Sequence, residues 1–157
     1  LDPASVTASL RLALLVGEMG RKEEAKALLR EVLTLVPDHP VVLNNLADLL
    51  AESSSDLDEA LNLAQKAYRK APGNAKIAET LGAIYVKKNF NDDAIQVFQQ
   101  LVAKHPADAR LQYELAVAHL QKGDKSQART ILEKALRSRP SKTEEEKIRE
   151  LLAQTGL

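Results

Sequence analysis

Small and apolar residues recur along this chain at a fixed interval, separated by polar turns. Leu-Ala or Leu-Gly pairs stand at Leu12-Ala13, Leu46-Ala47, Leu81-Gly82 and Leu115-Ala116. A second ladder runs Ala25, Ala60, Ala94 and Ala128, and a third runs Pro3, Pro37, Pro72, Pro106 and Pro140. In each ladder the step is 34 residues, apart from a single step of 35. Together they place one extra residue between Ala47 and Ala60, where Ser53-Ser54-Ser55 reads as a turn.

Each rung has a physical reading. Small residues mark places where two helices cross closely, because a larger side chain there would push the backbones apart. Each ladder proline ends a helix, since it lacks an N–H and clashes with the preceding turn. Pro40 lies off the ladder and suits a first helical position. Ser5, Asn74, Asp108 and Ser141 are helix N-cap types that follow the prolines. Gly20, Asn89 and Gly123 are turn signals between the ladders.

The pattern predicts first helices over about 5–17, 40–51, 75–87 and 109–121, and second helices over about 22–35, 56–69, 92–104 and 125–138. A ninth helix is predicted over about 143–153. These group into a single domain, 1–157, with repeats at about 6–39, 40–74, 75–108 and 109–142 and a capping helix at about 143–154.

Composition narrows the chemistry. Apolar residues make up 45% of the 157-residue chain but aromatics only 3%, so the core is built from Leu, Ala, Val and Ile. Lysine plus arginine and aspartate plus glutamate both number 22. That balance argues against a dedicated nucleic-acid binder, which needs a basic excess. The chain has no cysteine, which excludes disulfides, thiol catalysis and cysteine metal sites. No apolar run approaches the roughly 18 residues that cross a membrane, so direct membrane insertion is not expected.

The period and the rungs resemble the tetratricopeptide repeat, with its W-x2-L-G-x2-Y, A-x3-F and P signature. The third repeat carries Leu81-Gly82, Tyr85, Ala94, Phe98 and Pro106. The first reads Leu12-Ala13, Val16, Ala25, Leu29, Pro37; the second Leu46-Ala47, Leu50, Ala60, Ala64, Pro72; the fourth Leu115-Ala116, His119, Ala128, Leu132, Pro140. The tryptophan rung is replaced throughout, by Ser9, Leu43, Ala78 and Gln112. The resemblance implies an all-α fold, a right-handed α-solenoid of antiparallel helix pairs with a C-terminal capping helix. It also implies a protein-interaction module rather than an enzyme. Phrases such as Leu43-Asn44-Asn45-Leu46-Ala47 and Thr80-Leu81-Gly82-Ala83-Ile84-Tyr85 are similar to those ending long bacterial arrays, including envelope lipoproteins linked to exopolysaccharide and protein sorting. The compartment implied is the bacterial cytoplasm, periplasm or envelope.

No catalytic constellation is visible, and no cofactor or metal is expected. His39 and His105 stand beside turn prolines, and His119 occupies a rung held elsewhere by Val16, Leu50 and Tyr85, which reads as packing. No HxxxH pair occurs. The segment from Ser53 to Asp58 lacks the glycine and glutamate of a calcium loop and reads as a solvated loop with a helix cap.

In this family the first helices line a concave face, which implies a groove for a protein or peptide. The groove residues expected here are Arg11, Asn44, Asn45, Asp48, Lys76, Glu79, Thr80, Arg110, Tyr113 and Glu114. Asparagine can both donate to and accept from a peptide backbone, and tyrosine adds area with a polar tip. The two-carboxylate clamp of cochaperone domains is incomplete. Asn45 and Lys76 match it, while Thr7, Arg11 and Thr80 replace its other members. The 34-residue period and balanced charge also count against one-base-per-repeat RNA reading.

The ends carry separate signals. Leu1-Asp2-Pro3 reads as the tail of a preceding repeat, so an uncovered N-terminal face and self-association through it are expected. Ser141-Lys142-Thr143-Glu144 reads as a capping box opening the last helix, whose Ile148, Leu151 and Leu152 form an apolar stripe under a polar outer face.

Overall fold

The computed structural model describes residues 3–156, with side chains from residue 5 onward. Leu1 and Asp2, most of the expected repeat tail, lie outside the described residues. Nine α-helices and no strands occur among the described residues. They are α1 (Pro3–Glu18), α2 (Lys22–Leu35), α3 (Pro40–Leu50), α4 (Leu57–Lys70), α5 (Ala75–Lys87), α6 (Asn91–Lys104), α7 (Ala109–Lys122), α8 (Lys125–Arg137) and α9 (Lys142–Gln154). The chain divides into two compact units, one reaching to Ile84 and the other starting at Tyr85.

Local chemistry sets the helix ends. The Asn74 side chain accepts from the Ile77 N–H at 3.2 Å, and Asp108 Oδ1 accepts from Arg110 and Leu111. Ser141 and Glu144 complete the reciprocal capping box. The turn residues Asn89 and Gly123 take positive φ, 58° and 95°, which lets the chain reverse within three residues at Asn89 and two at Gly123. One expectation needs correction: Ser5 is not an N-cap, because α1 already begins at Pro3. Pro40 opens α3 as expected, and the cap before it is His39, whose Nδ1 accepts from the Val42 N–H at 3.4 Å.

The extra residue is absorbed in a 3-10 turn at Ser54–Asp56. Asp56 makes no side-chain cap bond to α4. Its carboxylate lies 3.7 Å from the Lys26 ammonium instead, so the expected helix cap is an inter-repeat contact.

In the first unit, Ala13, Ala25, Ala47 and Ala60 are fully buried where the helices cross. Leu43, Ala67 and Ile77 form an adjoining cluster, packed by Leu33, Leu63, Tyr68 and Ala71. Ion pairs join the first and second repeats: Lys22 to Glu52, Lys26 to Asp56, Arg30 to Glu59, and Asp38 to both Lys66 and Lys70. Lys26 is itself buried, and its pKa is raised, chiefly by the hydrogen bond from its ammonium to Glu23 at 2.8 Å.

In the second unit the same scheme buries Ala94, Ala116 and Ala128. Ala116, Ala128, Leu132 and Ala135 share a core with Ile148 and Leu151 of α9, and Leu152 packs at its edge. The last helix thus covers α8 with its apolar stripe and leaves Lys142, Glu146, Lys147, Arg149 and Glu150 exposed. His119 is buried on the core side of α7, with Nδ1 3.4 Å from Asp124 Oδ2.

Candidate docking surface

The repeat ladder fixes one face of each first helix against its neighbours and leaves another free to carry chemistry. In the first unit this face includes Arg11 on α1 and Asp48 on α3, both exposed, with Asn45 half-buried between helices. Lys76 is exposed and Glu79 half-buried on α5. Asn44 and Thr80 are each only 3% exposed. The Thr80 hydroxyl donates to the Lys76 carbonyl of its own helix at 3.2 Å, and the Asn44 side-chain carbonyl is buried with no hydrogen-bond partner. These two side chains pack inside the unit rather than facing a partner, which corrects their expected place in the groove.

Between α1 and α3 lies a cleft of about 220 Å³. Leu14, Gly17 and Leu49 give it apolar walls, and Glu18, Asn45 and Asp48 supply its polar atoms. A methyl group added at Gly17 would meet Ala25 at 3.6 Å and Leu49 at 4.0 Å, so the helices approach to ordinary contact at its base.

In the second unit Arg110, Tyr113 and Glu114 fall together on one cleft of about 170 Å³. Its opposite wall is α9, through Glu144, Lys147 and Ile148. The Arg110 guanidinium lies 3.7 Å from Asp108. Burial, with the charges of Glu114 and Glu150 nearby, pushes the Tyr113 phenol upward, so it stays protonated and can donate a hydrogen bond at neutral pH. Glu144 is held below its ordinary value, first by its hydrogen bonds from Ser141 and then by the nearby Arg110 and Lys147 charges. The capping carboxylate is therefore ionised and already engaged at the cleft rim.

Sequence reasoning assigned α9 to capping alone and missed its share of this wall. The signal was present: Glu144, Lys147 and Ile148 stand at i, i+3 and i+4, one face of a helix. Among the described residues no group of three metal-ligating side chains is found, and no helix is long and apolar enough to cross a membrane.

The fold has close relatives among solved structures. MamA MSR-1 superposes with a TM-score of 0.80 at 22% identity, over 96% of this chain and 84% of that one. A MamA segment from Desulfovibrio magneticus RS-1 gives 0.78 at 21%, over 96% and 92%. The APC/C hetero-tetramer Cut9-Hcn1 gives 0.82 at 24%, over 96% of this chain and 29% of that chain. At these identities the likeness speaks for the fold. No curated protein matches the sequence. The tetratricopeptide repeat profile matches residues 10–75 and 80–143, and the chain belongs to that family.

Proposed function

We propose that this chain is a binding module, organised as a single four-repeat domain, whose first-helix faces hold a peptide or protein segment. The observation that carries this reading is the pair of clefts. Each is bounded by first-helix residues that the packing ladder does not consume, and each combines apolar walls with hydrogen-bonding groups. Family membership supports the general role, since tetratricopeptide repeats mediate protein–protein interaction. The residues proposed for contact are Arg11, Asn45, Asp48, Lys76, Glu79, Arg110, Tyr113 and Glu114. The envelope parentage suggested by the sequence phrases belongs to the same proposal, and fractionation of the native protein tests it.

The module is tested by affinity capture from native extract, comparing the unchanged domain with the Asn45→Ala, Lys76→Ala, Tyr113→Ala triple variant. Retention of a protein by the unchanged domain alone supports the reading. Equal retention by both contradicts it.

A second reading, a scaffold acting through its end faces, rests on a separate observation. Leu12 is 49% exposed, while its repeat equivalents Leu46, Leu81 and Leu115 are 1%, 3% and 5% exposed. Leu15 on α1 and Met19 in the turn after it extend this apolar stripe. Sedimentation equilibrium of the domain against a Leu12→Ser, Leu15→Ser variant separates self-association through this face from a monomer.

A further inference from the structure

The two clefts differ in charge, and the difference names a ligand for the first. This inference rests on the binding-module reading above and specifies what part of the partner enters. The α1–α3 cleft carries two carboxylates, Glu18 and Asp48, and no lysine, arginine or histidine lines it. Neither carboxylate has an ion-pair or hydrogen-bond partner among the described residues. Acidic neighbours elsewhere in the unit are engaged: Glu23, Glu24, Asp38, Glu52, Asp56 and Glu59 all pair with cations. The rest of the lining is apolar, from Leu14, Gly17 and Leu49, apart from Asn45, which carries both a donor and an acceptor.

We infer that this cleft takes an arginine or lysine side chain from the docked protein segment. Those side chains carry a methylene stem ending in a cation, and the stem lies along apolar surface while the head meets acidic groups. The Leu14–Leu49 walls match the stem. Glu18 and Asp48 match the head, which arginine presents as a planar fork of donors suited to carboxylates. Asn45 accepts from the remaining donor or holds the adjacent backbone of the segment. The second-unit cleft does not share this preference, because Arg110 and Lys147 stand among its acids.

The test uses a display library of random twelve-residue peptides selected on the whole domain. Selected peptides are expected to be enriched in arginine and lysine. The Glu18→Gln, Asp48→Asn variant should abolish that enrichment and weaken the best peptide about tenfold, as expected for losing two partly solvated charge contacts. The charge reversal Asp48→Lys should turn selection toward peptides bearing glutamate or aspartate, a reversal that loss of structure does not produce. Basic enrichment that survives the neutral double variant overturns the inference. So does selection without basic enrichment: if those peptides still lose affinity for the Asn45, Lys76, Tyr113 triple variant, the binding-module reading stands alone. Peptides indifferent to every variant overturn both.

Discussion

The cleft between α1 and α3 and the cleft between α7 and α9 sit on the same kind of packing yet present different chemistry. Both lie beside helices whose small ladder residues are fully buried, Ala13 and Ala47 in one unit and Ala116 in the other. One cleft is acidic, with carboxylates that have no partner among the described residues. The other sets a partly buried phenol among two cations and two acids, one of which is tied into a helix cap. Both units also carry cross-repeat ion pairs: among the described residues Lys22, Lys26, Arg30 and Asp38 join α2 and its following turn to the α3–α4 turn and α4, and Lys122 to Asp92 at 2.8 Å joins α7 to α6. The repeat ladder thus dictates packing and leaves charge to vary, so two repeats with the same core need not recognise the same ligand.

If the cores are equivalent, truncating either should cost alike. Leu29→Ala and Leu132→Ala each remove a fully buried side chain, and each should lower unfolding free energy by about 2–5 kcal/mol. Urea unfolding measures both, and a loss below about 1 kcal/mol in one unit breaks the equivalence. Leu12→Ala, on the uncovered face of α1, should stay within about 0.5 kcal/mol of the parent. The next effect concerns the close crossings. Ala116→Leu should overpack the α7–α8 contact and cost about 1–3 kcal/mol, and thermal melting unchanged from the parent would deny Ala116 that role.

The smallest effect separates the units by acidity. Lys70 and Lys66 hold Asp38 at about 2, below its ordinary 3.8. Because the folded value is the lower one, this stabilisation is present above pH about 4 and is lost as pH falls toward 2. Hydrogen exchange in that window should show protection of α2–α4 falling with Asp38 protonation, and Asp38→Asn should remove that part of the acid sensitivity. Because Asp38 is exposed, the change in protection should be small and should shrink in high salt. The raised Lys26 and Lys122 act in the opposite sense, losing their contribution only as pH rises past the ordinary lysine value of 10.5.

Much of the fold was legible because its signals are local or periodic. Ser141 and Glu144 stand three residues apart and answer each other within one turn, so the capping box needed no tertiary knowledge. The buried alanines were readable because a close crossing admits few side chains. Ser5 misled because a serine after proline resembles a cap even where the helix has already begun. His39 was missed because histidine is an unusual cap, though Pro40 after it marked the position. Burial at the candidate site was the least legible property. Arg11, Asn45, Thr80 and Glu114 share one repeat position, yet Arg11 is exposed, Asn45 and Glu114 are half-buried and Thr80 is buried. How deep such a residue lies depends on the size of its neighbours across the helix pair, which periodicity does not encode. The α9 wall of the second cleft arises from tertiary packing in the same way.

The most direct measurement of the central claim is a titration of the captured partner against two matched variants. One carries Asn45→Ala, Lys76→Ala and Tyr113→Ala on first helices; the other carries Glu31→Ala, Gln96→Ala and Gln127→Ala at exposed second-helix positions. A first-helix docking surface predicts at least about a tenfold rise in Kd for the first variant, a difference of about 1.4 kcal/mol, and little change for the second. Equal affinity for both variants, or a larger loss for the second-helix set, would contradict it.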